Sequence, residues 1–213
     1  MLLEIGSVEF SYSGSPGPSN SVCSTGKKQS PVNIKKNETV LGNNLKPLYK
    51  QYTAAAANAT LINLCRDIEL QYGVDIGGIK INGKKFVFKQ MHWHTPSEHL
   101  FDGQRYAAEL HLVHEAEDHS AAVIANLYQY GKSPQDIDPF LAKLGDGLQK
   151  LSKDNCEKNE GSRVSIGMLD TKPLTQNTAE NYQQGAGSGI EGSIGSRIQR
   201  ECKARAAAEW SKD

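Results

Sequence analysis

The stretch Lys80-Ile81-Asn82-Gly83-Lys84-Lys85-Phe86-Val87-Phe88 runs on as Lys89-Gln90-Met91-His92-Trp93-His94, and its reading decides the fold. Asn-Gly between β-forming residues signals a two-residue hairpin turn, because both residues tolerate the positive φ that the turn requires. Residues 88–94, 105–115 and 121–130 read as further strands, separated by turns such as Asp102-Gly103. Connections this short fit antiparallel hairpins, not β-α-β crossovers. Upstream, residues 60–72 also mix β-formers with alternating polar residues.

Outward from this β-rich centre the character changes. Residues up to about 30 are rich in Ser and Gly, as in Ser11-Tyr12-Ser13-Gly14-Ser15-Pro16-Gly17-Pro18, and read as an extended arm over a core. Downstream, one helix stands out. Asp138 can cap it, Pro139 suits its first position, and Ile137, Leu141, Leu144, Leu148 and Leu151 form an apolar stripe. A short strand over 163–169 follows. Beyond Asn181 come Gln183-Gln184-Gly185-Ala186-Gly187-Ser188-Gly189 and a basic, Ala-rich end. That is the composition of a flexible linker and a polar tail. The domain division is thus 1–182 for one β-rich domain and 183–213 for a Gly-rich and basic tail.

Composition excludes several classes. The 213 residues are enough for one ordinary domain. Lys+Arg 24 balance Asp+Glu 24, so there is no electrostatic footprint for nucleic acid. A mean hydropathy of −0.54 and the lack of a long apolar run predict no membrane span. Met1-Leu2-Leu3-Glu4 has neither the basic flank nor the apolar core of a signal peptide. Cys23, Cys65, Cys156 and Cys202 show no C-x-x-C spacing, against a zinc finger or a thioredoxin-like site. Asn37-Glu38-Thr39 and Asn58-Ala59-Thr60 are glycosylation sequons, usable only in a chain that enters the secretory pathway.

The histidines carry the chemistry. Five of the six, His92, His94, His99, His111 and His114, fall between Met91 and His114. On a strand, residues i and i+2 share a face, about 6.5–7 Å apart. His92 and His94 therefore project together, and His111 sits on a second predicted strand. Adjacent strands lie about 4.8 Å apart, so three imidazoles can converge on one ion. Three neutral nitrogen ligands with an open fourth position describe a catalytic zinc site. The alternative is an aromatic-rich hairpin with partly exposed histidines. Gln90 shares the face of His92 and His94, and Glu109 that of His111. Each can accept the second ring N–H of a metal-bound imidazole, or be an ordinary strand residue. His114, at an odd offset from His111, should point away. His99 and His119 fall in or near loops and receive no ligand role.

Three motifs then resemble the α-type carbonic anhydrases, with a plant-like flavour. They are Gln29-Ser30-Pro31-Val32-Asn33-Ile34, Met91-His92-Trp93-His94-Thr95-Pro96-Ser97-Glu98-His99 and Tyr106-Ala107-Ala108-Glu109-Leu110-His111-Leu112-Val113-His114. Ile166-Gly167-Met168-Leu169 also resembles the stretch after the family's helix. The resemblance implies a large, mostly antiparallel twisted sheet with a few short helices and a Zn2+ held by His92, His94 and His111. It further implies Gln90 and Glu109 as partners of His92 and His111, and Glu98 as the buried glutamate that orients a threonine. Val113 and Val123 would line an apolar pocket for carbon dioxide, and Tyr12 would join the solvent network. The implied reaction is reversible hydration of carbon dioxide to bicarbonate by a zinc-bound hydroxide.

The chain departs from that family at three places. Arg66 stands at the proton-shuttle position, where its guanidinium cannot release a proton near neutral pH. A Trp-containing segment expected between Pro18 and Cys23 is missing. The resemblance ends near Tyr182, before the segment that supplies the orienting threonine and the expected disulfide partner of Cys23. Residues 185–213 read as a shifted reading frame, an alternative exon or a faulty gene model. The expectation is an impaired carbonate dehydratase of lowered stability. The alternative is a catalytically inactive storage or binding protein, as the dioscorins are. A third reading, an interaction module on residues 197–212, is explained as well by a solvated helix. The resemblance implies a location in the secretory pathway or outside the cell, while the sequence itself leaves the compartment open.

Overall fold

The computed structural model of the chain describes residues 30–40, 48–53, 55–64, 67–131, 138–151, 162–171 and 173–174. Its strands are β1 (Asn33–Ile34), β2 (Tyr49–Tyr52), β3 (Ala56–Asn63), β4 (Ile68–Tyr72), β5 (Gly77–Ile81) and β6 (Lys84–His94). They continue as β7 (Leu100–Phe101), β8 (Gln104–Arg105), β9 (Ala108–Glu115), β10 (Ala121–Tyr128) and β11 (Arg163–Asp170). The helix α1 spans Pro139–Lys150, and a 3-10 turn spans Lys36–Glu38. The main sheet runs β10-β9-β6-β4-β3-β11, with β5 paired to both β6 and β2. β1, β7 and β8 form a small second sheet. β1 pairs with β7 in parallel, and the pairings of the main sheet are antiparallel. The expected fold class, a large and mostly antiparallel sheet with little helix, is what forms.

Register explains how one sheet serves as both core and site. Val164, Leu61, Leu70, Met91, Leu112 and Ile124 stand opposite one another across six strands. Leu61, Leu70 and Met91 are fully buried in this row, and each such side chain contributes about 1.5–3 kcal/mol. One residue along each strand, the row reads Arg163, Ile62, Glu69, His92, His111 and Ala125. Successive residues point to opposite faces, so the apolar row builds the core and its neighbour builds a polar site.

The hairpin at Asn82-Gly83 forms as read, with φ of 50° and 87° at its two residues. The helix also follows its sequence signals: the Asp138 carboxylate accepts from the N–H groups of Phe140 and Leu141, and Pro139 takes the first turn. Phe140, Leu144 and Gly147 are its buried positions. At Gly147 the helix comes so close to the sheet that a Cβ would lie 2.4 Å from Ile166 Cγ2 and 2.8 Å from Leu61 Cδ1.

Three expected boundaries move. The strand expected over 105–115 divides, because Arg105 belongs to β8 in the small sheet and β9 starts only at Ala108. Between them the Tyr106 carbonyl accepts from Ser97 N–H, and Ala107 N–H donates to Tyr128, so the chain changes sheets there. The strand expected over 121–130 stops at Tyr128, whose partner Ala108 is the first residue of β9. The β-signals over 60–72 resolve into β3 and β4, and between them Leu64 N–H donates to the Asp67 carbonyl.

Candidate metal centre

His92 and His94 lie at the end of β6, and β9 brings His111 directly opposite His92. The ring centroids are 4.9 Å apart for His92 and His94, 5.1 Å for His92 and His111, and 4.8 Å for His94 and His111. One ligand nitrogen from each lies within 4.8 Å of the other two. Zn–N bonds of about 2.0–2.1 Å need only small side-chain rotations from that spacing. Three imidazoles beside buried carboxylates are also the donor set and the potential that suit a borderline-soft dication. The residues fit zinc.

A β-bulge sets up this face. Between Phe88 and Gln90 the register with β9 shifts by one, so Phe88 stands opposite His114 while Gln90 stands opposite Val113. Lys89 is the extra residue, and it is exposed. The bulge turns Phe88 toward the core side with Met91, and leaves Gln90, His92 and His94 on the site side. His114 points away from the site, as expected. It is fully buried, and its Nδ1–H donates to the Ala122 carbonyl while its Nε2 accepts from the Tyr52 hydroxyl at 2.5 Å. Burial pushes its pKa down to about 4.

The second ring nitrogens of the three histidines meet acceptors. Gln90 Oε1 lies 2.9 Å from His92 Nδ1, and Glu109 Oε1 lies 2.7 Å from His111 Nε2. Asp67 Oδ1 lies 3.2 Å from His94 Nδ1. Glu98 Oε2 lies on the inner side, 3.4 Å from His94 Nε2 and 3.8 Å from His111 Nδ1. Its loop is fixed by neighbouring Ser97, whose hydroxyl donates to the His99 carbonyl and accepts from Tyr106 N–H. Val113 and Val123 face each other across β9 and β10 on the same side as His111. Tyr12, Arg66, the four cysteines and residues 183–213 lie outside the described residues.

Two residues that the sequence analysis did not place come to the site. His99 donates its backbone N–H to Glu109 Oε2 at 2.8 Å, and its Nδ1 lies 2.5 Å from Glu109 Oε1. Glu109 is therefore held from two sides. Burial pushes its pKa up, but hydrogen bonds from His111 and His99 and their nearby charge outweigh that and hold it well below the usual carboxylate range. No local signal marks His99, which reaches Glu109 from a loop. Asp67 stands just before β4, two residues from Glu69, and only the packing of β4 beside β6 reveals that it faces His94.

Comparison with known proteins agrees with this geometry. Residues 17–188 match the family model described as eukaryotic-type carbonic anhydrase. Alpha carbonic anhydrase 8 of Arabidopsis thaliana is 36% identical over 187 residues, 82% of this chain and 45% of that one. Dioscorin DB3L of Dioscorea polystachya is 37% identical over 190 residues, 84% of this chain and 66% of that one. Among solved structures, dioscorin complexed with ascorbate aligns with a TM-score of 0.62 and 30% identity, covering 73% of this chain and 60% of that one. The α-carbonic anhydrase from Thermovibrio ammonificans with sulfanilamide aligns with a TM-score of 0.62 and 26% identity, covering 76% and 66%. The chain belongs to the eukaryotic-type carbonic anhydrase family. It spans between about half and two thirds of the length of these curated relatives.

Proposed function

We propose that the chain is a zinc-dependent carbonate dehydratase that interconverts carbon dioxide and bicarbonate. The observation that carries this reading is the convergence of His92, His94 and His111, with ligand nitrogens within 4.8 Å of one another on one buried face. Bound zinc supplies Lewis acidity that makes water a nucleophile near neutral pH, and carbonic anhydrases are the standard example of that effect.

The protein's own groups do the rest. Gln90 and Glu109 hold the outer N–H of His92 and His111, which fixes their tautomers and turns one lone pair of each ring toward the ion. Val113 and Val123 form an apolar wall against which an uncharged substrate can rest without competing for hydrogen bonds. Glu98 is the carboxylate nearest the inner nitrogens of His94 and His111, where it can accept a hydrogen bond from a ligand of the ion. Arg66, at the position of the family's proton shuttle, retains its proton, so proton export falls to buffer and turnover is slowed. The same family membership favours secretory or extracellular location.

Stopped-flow carbon dioxide hydration on zinc-loaded protein tests this, with His94→Ala as control and a sulfonamide as inhibitor. Activity that disappears in the control and with the inhibitor is the expected result. No rate above buffer, with zinc bound stoichiometrically, would establish instead the second reading, a non-catalytic protein of this fold. The dioscorin matches support that reading.

A further inference from the structure

We propose that Asp67 is the positioning residue for His94, accepting its Nδ1–H so that Nε2 is presented to the cation. The inference rests on the zinc reading above. The three histidines are unevenly supplied by their own strands. A metal-bound imidazole needs an acceptor for its outer N–H. His92 finds one two residues back on its own strand, in Gln90, and His111 finds one two residues back in Glu109. For His94 the residue two positions back is His92, itself a member of the triad. Its own strand can offer no acceptor there, so the acceptor must come from elsewhere.

The neighbouring strand supplies it. Ile68 pairs with Trp93 and Glu69 with His92 in antiparallel register, and Asp67, the residue just before β4, reaches His94 at the end of β6. The Asp67 backbone is anchored just before β4, where its carbonyl accepts from Leu64 N–H at 2.9 Å. The Asp67 and His94 side chains are each 10% exposed, and Oδ1 lies 3.2 Å from Nδ1. The other nitrogen, Nε2, faces inward toward Glu98. A carboxylate acceptor also makes the ring a stronger donor to a dication, as a charge-assisted hydrogen bond. Asp67 thus gives the third histidine what Gln90 and Glu109 give the other two.

Zinc affinity of the metal-free full chain, measured by competition with a chromophoric chelator, tests this for the unaltered protein, Asp67→Asn and Asp67→Ala. Asp67→Ala should weaken zinc binding by about 10–100-fold. Asp67→Asn keeps an oxygen acceptor and should recover most of that loss, which a purely structural role would not produce. Imidazole 15N spectra of the metal-free chain at pH 8 should show His94 as the Nδ1–H tautomer, and a tautomer mixture in Asp67→Ala. Unchanged zinc affinity in Asp67→Ala, or a His94 that carries its proton on Nε2 in the unaltered chain, would overturn the proposal. If Asp67→Ala does not fold, Asp67→Asn and the His94 tautomer of the unaltered chain decide it. A chain that binds no zinc at all would sink the zinc reading alone, and the tautomer would still report on Asp67.

Discussion

His111 and His114 are three positions apart on one strand and have opposite fates, because alternation sends one to the site and the other to the core. His114 lies among Tyr52 and Phe88, with ring centroids 5.9 Å and 5.6 Å away. Its hydrogen bonds fix a neutral tautomer, with the proton on Nδ1. With a folded pKa near 4 against 6.5 in an unfolded chain, the unfolded state takes up more protons between those values. Stability from this group is therefore complete above pH 6.5 and is lost as pH falls toward 4. The linkage amounts to about 3 kcal/mol at most. Denaturant midpoints of metal-free protein at pH 7 and pH 4.5 should differ less for His114→Gln than for the unaltered chain. Equal differences in the two proteins would refute this account. Alternation made His92, His94, His111 and His114 legible in the sequence. His99 was not, since a loop residue has no period to read.

Helix α1 and strand β6 show how much an element tells by itself. The cap, the Pro at the first turn and the apolar stripe all announced α1, but not how closely its middle approaches the sheet. Among the described residues nothing lies within 4 Å of where a Cβ of Gly145 would stand, whereas Gly147 meets Ile166 and Leu61. Gly145→Ala should therefore stabilise the protein by about 0.5–1 kcal/mol through helix propensity. Gly147→Ala gains the same propensity but must push apart packed side chains, at about 1–3 kcal/mol, and should be destabilising on balance. Chemical denaturation of the two variants checks this, and a stabilising Gly147→Ala would show that the helix can move away. In β6, residues 88–94 read as one regular strand, and the bulge at Lys89 left no mark in the residue types. It arises from pairing with β9, where two residues of β6 oppose one step of their neighbour.

For the whole molecule, the candidate metal site joins two hairpins of the main sheet, so binding of an ion there would link occupancy of the site to cohesion of the sheet. His92 and His94 come from β6, flanked by β4 and β9, and His111 comes from β9. A cation that binds only the folded state stabilises it by about 2.7 kcal/mol at a free concentration of 100 times its Kd. For a domain of this size that raises Tm by about 5–11 °C. Zinc-loaded protein should therefore melt higher than chelator-treated protein in differential scanning calorimetry, and His111→Ala should abolish the difference. An equal Tm with and without zinc in the unaltered chain would mean that the ion does not bridge the strands.

The sequence by itself determined the alternation along β9 and β10, the hairpin at Asn82-Gly83, the start of α1 and the shared face of His92 and His94. Those are local properties, set by side-chain alternation, by the φ preferences of turn residues and by capping chemistry. Only the tertiary structure decided that β4 lies beside β6, that β11 closes on β3, and that a bulge turns Phe88 away from Gln90. Pairing between strands distant in the chain is a choice of hydrogen-bond register, and many registers satisfy the same alternation. Burial of the Leu61-Leu70-Met91-Leu112 row selects one of them, and that selection sets His111 opposite His92 and brings Asp67 within 3.2 Å of His94.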